Sequence, residues 1–137
     1  FITLAKFSAV NKDKGYIFCD EYLKTFAEKI RNANPEGLNA RIREGIFAII
    51  FEYKDSVEEK SKHIFKDLQG NFKGVPLTFS MGVSTTECCG RGYEGLCVAA
   101  DAASKINADN ALDEMIIADN EFIDNLINQK GREGDTI

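Results

Sequence analysis

The strongest local constraint in this chain is a hairpin. Leu38-Asn39-Ala40-Arg41-Ile42 leads into a tight Glu44-Gly45 turn, and Phe47-Ala48-Ile49-Ile50-Phe51-Glu52 leads out of it. Extended, β-branched and aromatic runs on either side of a short turn containing glycine read as two antiparallel strands. The rest of the chain has to supply a sheet for that hairpin to join.

Upstream, Phe1-Ile2-Thr3-Leu4-Ala5 reads as a buried strand, followed by a polar turn through Asn11-Lys12-Asp13-Lys14-Gly15. A helix then carries Leu23, Phe26, Ala27 and Ile30 on one face and stops at Asn34-Pro35-Glu36-Gly37. Downstream, Ser56 with Glu59 forms a capping box for a second helix facing inward through Val57, Ile64, Phe65 and Leu68. Gly70 to Gly74 make a connection, and Leu77 to Val83 alternate as a strand with one buried face. A loop with Cys88-Cys89-Gly90-Arg91-Gly92 leads to a helix facing inward through Leu96, Ala99, Ala100, Ala103 and Ile106. Met115-Ile116-Ile117 reads as a last strand, and Asn120 to Asn128 as a terminal helix through Phe122, Ile123, Leu126 and Ile127. The residues from Gly131 read as a frayed tail or linker. This order predicts an α+β fold, a mixed or antiparallel sheet covered by helices.

At 137 residues the chain is expected to hold one main domain with a sizeable core. The formal net charge of -5 argues against a non-specific nucleic-acid binder, which needs a basic face to displace phosphate counterions. No apolar run reaches the length of a membrane span, so no membrane contact by this domain is expected. The cysteines are Cys19, Cys88, Cys89 and Cys97, and the single histidine, His63, falls in a different element. The spacing lacks the paired ligands of a zinc site. Free thiols in a reducing cytoplasm are the expected reading, with convergence of Cys88, Cys89 and Cys97 on a metal as the alternative.

Several stretches, in order, resemble the GGDEF (diguanylate cyclase) domain family. Ile2-Thr3-Leu4-Ala5-Lys6-Phe7 is similar to its opening strand, normally Asp-x-Asp-x-Phe, and Val10-Asn11 to its Ile-Asn. Gly15-Tyr16-Ile17-Phe18-Cys19-Asp20 resembles Gly-His-x-x-Gly-Asp, and Ala40-Arg41-Ile42-Arg43-Glu44-Gly45-Ile46-Phe47 resembles Ala-Arg-x-Gly-Gly-Asp-Glu-Phe. Phe79-Ser80-Met81-Gly82-Val83 is similar to the family's Ser-Ile-Gly-Val strand, and Ala100-Asp101-Ala102-Ala103 to its Ala-Asp-x-Ala helix. The resemblance runs from Phe1 to about Ala118. It implies a nucleotide-cyclase-like sandwich around a mixed, mainly antiparallel five-stranded sheet, with residues 119–137 as a C-terminal helix and tail. The family's short helix and Asp-x-Leu-Thr turn ahead of the opening strand have no counterpart, which implies a piece of a longer signalling protein.

The family's chemistry joins two GTP molecules with the help of two metal ions, which polarise the triphosphate and activate the attacking hydroxyl. Magnesium asks for carboxylate oxygens. The resemblance sets the family's acidic positions at Thr3, Ala5, Gly45 and Ile46, none of which is a carboxylate. Arg43 and Glu44 replace the paired glycines that let substrate approach the backbone. The phosphate-contacting Lys and Arg fall on Ala108 and Leu112, and a further Lys on Ser8. The inhibitory Arg-x-x-Asp falls on Asn34-Pro35-Glu36-Gly37. Asn11 and Asp20, in contrast, match positions that read guanine, where an amide and a carboxylate suit the base edge.

The expected function is that of a degenerate GGDEF domain without cyclase activity: a regulatory, guanine-nucleotide-sensing or protein-interaction module in bacterial cyclic di-GMP signalling. Magnesium is expected to be lost as a cofactor. GTP stands as a weak ligand, and the expected partners are neighbouring domains of a signalling protein or a second copy. The expected location is cytoplasmic, within a host protein free to be membrane-anchored. The alternative is an active cyclase with rearranged ligands such as Glu44 and Asp13, and a third reading is an unrelated sandwich of similar topology.

Overall fold

The computed structural model describes residues 1–5, 7–89, 92–106 and 114–135, and for Cys88, Cys89, Tyr93 and residues 129–135 it describes the backbone alone. In chain order the elements are β1 (Ile2–Leu4), α1 (Phe7–Ala33), β2 (Leu38–Arg43), β3 (Ile46–Ile50), α2 (Val57–Asp67), β4 (Asn71–Phe72), β5 (Val75–Pro76), β6 (Phe79–Val83), α3 (Thr86–Cys89), α4 (Tyr93–Lys105), β7 (Met115–Ile117) and α5 (Asn120–Asp135). Five strands form one sheet in the order β2-β3-β1-β6-β7. Every neighbouring pair is antiparallel except β6 with β7. The expected α+β class and the mixed, mainly antiparallel sheet are therefore both present.

Strand alternation sorts the sheet into two faces. Ile2 stands opposite both Phe47 and Met81 in the ladder, and this face is covered by α1 and α2. Phe26 of α1 lies 5.3 Å from Phe47 and 5.5 Å from Phe79, while Phe65 of α2 lies 5.1 Å from Phe79. The opposite face carries Thr3, Ile46 and Ser80, and α4 packs on it. That helix comes close because of Gly82. A Cβ at Gly82 would fall inside the van der Waals radii of the Ala100 carbonyl oxygen and the Ser104 nitrogen. Buried Ala99, Ala100 and Ala103 on α4 complete the fit.

The capping expectation at the second helix holds: the Ser56 hydroxyl accepts from the Glu59 amide at 3.2 Å. Other expectations need correction. Asn11 to Lys14 are helical rather than a turn, and Gly15, at φ 82°, breaks α1 in two. Their polarity reflects an exposed helix face. Instead of a plain connection at Gly70 to Gly74, residues 71–76 form a small hairpin, β4-β5, turning on Lys73 and Gly74 at φ 48° and 81°. Its Phe72 packs against Phe18 of α1 at 5.3 Å.

β6 is buried at every residue, not on one face, because it lies between β1 and β7 with helices on both sides. The expected cysteine loop begins with a helical turn, α3. Ile106 and Ile127 are exposed, not inward-facing. The α5 backbone stays helical to Asp135, through most of the expected tail, and Asp119 caps its start by accepting from the Phe122 amide at 2.8 Å.

Candidate functional site

The hairpin and the opening strand bring together positions that the resemblance sets against the family's acidic residues. Thr3 of β1 is the direct cross-strand partner of Ile46, and the Leu4 amide donates to the Gly45 carbonyl at 2.8 Å. Two carboxylates at such a pair would converge on one side of the sheet. Here the pair is a hydroxyl and a hydrocarbon. The Thr3 hydroxyl is already engaged, 3.0 Å from that of Ser104. Ser104 is fully buried, and its hydroxyl also donates to the Asp101 carbonyl at 2.8 Å. At Gly45 a Cβ would lie 3.0 Å from Leu4 Cβ and 3.1 Å from Phe7 Cγ, so a side chain there needs those neighbours to give slightly.

The family implies magnesium, and these residues do not fit it. A hard divalent cation needs several oxygen ligands, preferably anionic. Thr3, Ala5, Gly45 and Ile46 offer one neutral side-chain oxygen among them, and a serine occupies it. Among the described residues no group of three or more His, Cys, Asp or Glu side chains is arranged to hold a metal ion.

At the hairpin tip, Arg43 and Glu44 are both exposed. Glu44 sits at φ 43°, a left-handed conformation that glycine adopts without strain. This explains why a glycine suits the position in the family's pattern. The turn is held by Arg41, whose Nε donates to the Glu44 carbonyl at 2.8 Å, and the ladder shifts register between Arg41 and Arg43. Phe47 is a core residue on the α1 side.

Asn11 and Asp20 lie on the two halves of α1, either side of Gly15, and both are exposed. The Asp20 carboxylate holds Lys24 at 3.0 Å through Oδ2. Tyr16, at the family's His position, is exposed; Cys19, at its Gly position, is buried. Burial pushes the Cys19 thiol up, Arg41 pulls it part of the way back, and Asp20 adds to the rise. Arg41 of the hairpin and the second half of α1 therefore lie within electrostatic reach of each other.

Ser8 is exposed, while Ala108 and Leu112 fall outside the described residues. Asn34, at the start of the stretch matching the inhibitory motif, is buried and structural. Its Nδ2 donates to Asn39 Oδ1 at 2.8 Å and to the Ile50 carbonyl at 3.3 Å, while Asn39 Nδ2 returns a bond to the Asn34 carbonyl. Cys19 and Cys97 are free thiols, and the side chains of Cys88 and Cys89 lie outside the description. A cavity of about 600 Å³, lined by residues including Ile50, Val83, Leu96 and Cys97, opens near the far end of β3 from the signature turn. It is not where the metal positions meet. Ser104 and Asn34, the two residues that matter most to this geometry, carry no motif; only their long-range partners identify them.

A central strand beside a hairpin whose turn abuts it, with helices on both faces, is the arrangement of a nucleotide-cyclase-like α+β domain. The family model for the diguanylate cyclase GGDEF domain matches residues 1–111. The chain belongs to the GGDEF domain family, the setting of cyclic di-GMP signalling. Its fold is similar to that of an EAL/GGDEF domain protein from M. capsulatus, with a TM-score of 0.71 at 23% identity over 85% of this chain and 80% of that one. No curated protein matches the sequence significantly.

Proposed function

We propose that this GGDEF domain does not make cyclic di-GMP and acts instead as a regulatory module, binding a protein partner or sensing a guanine nucleotide. The observation that carries this reading is the Thr3–Ile46 pair: neighbouring positions on adjacent strands, with no carboxylate at either. In-line attack on a triphosphate depends on charge neutralisation at the phosphates. The residues at these positions supply none, and the one hydroxyl is turned toward Ser104.

The nucleotide-sensing form draws support from Asn11 and Asp20, whose exposed side chains retain the chemistry to read guanine without a metal. GTP would then be a weak ligand, competing with Lys24 for Asp20. The interaction form draws support from exposed large apolar residues, Ile42 beside the signature turn on β2 and Tyr16 on α1. Among the described residues no helix is long and apolar enough to cross a membrane. A cytoplasmic position next to other signalling domains is part of this proposal.

Calorimetric titration with GTP, with and without Mg²⁺, separates the forms. Binding indifferent to Mg²⁺ and lost in Asp20→Ala supports the sensor. Absence of binding at millimolar GTP removes the sensor and leaves the interaction module. Binding that requires Mg²⁺ contradicts the reading of the metal positions.

A further inference from the structure

β2 is an edge of the sheet, paired on one side with β3 alone. An edge strand presents a row of outward backbone donors and acceptors to solvent. Five of the six residues of β2 are exposed, and only Asn39 is half-buried. The strand is regular from Leu38 to Arg41, before the register shift that precedes Arg43. Leu38 pairs with Ile50 and Ala40 with Ala48, so these four share the sheet face that α4 covers further in. Leu38 is 71% exposed and Ile50 54%, leaving an apolar strip at the edge. The other side of the same strand carries Asn39 and Arg41, opposite Ile49 and Phe47. At the bulge come Ile42, 48% exposed, and the exposed Arg43.

We propose that β2 is a docking strand for an extended segment of a partner protein in which apolar and acidic side chains alternate. The segment adds to Leu38–Arg41 as a sixth strand. Its apolar residues extend the Leu38–Ile50 strip, and its carboxylates face Arg41 on the other side of the strand, with Arg43 adding positive charge beyond the bulge. Backbone pairing supplies much of the affinity in such strand addition, and alternate side chains supply the choice of partner. Charge selects the occupant. β2 carries two arginines and no acidic residue, in a chain whose net charge is -5. A second copy offering its own β2 adds two more arginines and no carboxylate, so it brings no complementary charge. An acidic strand meets complementary charge at the same place.

This inference rests on the interaction form of the proposed function, and the two fail differently: cyclase turnover defeats the function, whereas the docking strand is read at β2 itself. The probe is a capped decapeptide of alternating glutamate and valine, added to the isotopically labelled 137-residue chain and followed by backbone NMR and amide hydrogen exchange. The expected result is saturable shifts centred on Leu38–Arg41, slower exchange of the outward β2 amides, and weakening at high salt. Arg41→Glu should weaken binding roughly tenfold, the equivalent of about 1.4 kcal/mol, with Leu38→Glu as an independent second variant on the apolar face. Equal binding of a lysine–valine peptide overturns the proposal. So does the absence of β2 shifts at millimolar peptide, or β2 protection that rises with protein concentration alone.

Discussion

Gly82 and residue 44 occupy positions where the GGDEF pattern has glycine, and they show two different uses of that residue. At Gly82 the reason is space: the backbone of α4 lies directly on the strand, and no side chain fits. At residue 44 the reason is backbone angle: the turn takes φ 43°, and here a glutamate holds it. The first requirement comes from close packing and has no inexpensive way around it. The second costs only about 1–2 kcal/mol in a left-handed non-glycine residue, an amount a folded domain tolerates. The contact of α4 with β6, built on Gly82, Ala100 and Ala103, therefore keeps the family's residues. The hairpin tip and the start of β1 depart from them while the backbone arrangement stays. On the proposed reading the chemistry at the site has changed, while the framework that positions it has not.

Direct substitutions can break this contrast. Gly82→Val should cost about 3 kcal/mol through overpacking against α4, read as a lower urea midpoint; a loss under about 1 kcal/mol would mean the helix can move away, and the contrast would lapse. Asn34→Ala should cost about 2 kcal/mol, since it removes a buried amide bonded to Asn39 and to the Ile50 carbonyl. Glu44→Gly should do the opposite and stabilise the domain by about 1 kcal/mol, by releasing the left-handed glutamate. Arg43→Gly, at the neighbouring signature position but without a positive φ, should change stability by no more than about 0.5 kcal/mol. If Glu44→Gly destabilised the chain, the glutamate would be contributing contacts that its exposed position does not suggest.

Much of this architecture was legible in local patterns. The hairpin, the Ser56 cap and the face of α1 built on Leu23, Phe26 and Ile30 depend on residues within a few positions of one another. The polar run ahead of Gly15 misled because four consecutive polar residues read equally as a turn or as an exposed helix. β6 looked half-buried because Thr78 and Ser80 alternate with apolar neighbours, yet Ser80 is buried beneath α4. The site was legible only as what is missing. That Thr3 faces Ile46 depends on strand order, and that its hydroxyl meets Ser104 depends on a contact across 101 residues of chain. Neither follows from periodicity.

The most direct test of the central claim is to incubate the purified chain with GTP and either Mg²⁺ or Mn²⁺ and to assay for pyrophosphate and cyclic di-GMP. The account predicts no product above the rate without protein, since Thr3, Ala5, Gly45 and Ile46 offer no carboxylate to hold the metal that neutralises the phosphates. Metal-dependent formation of cyclic di-GMP, lost on substitution of Glu44 or Asp13, would contradict it and show that the ligands had moved along the chain rather than disappeared.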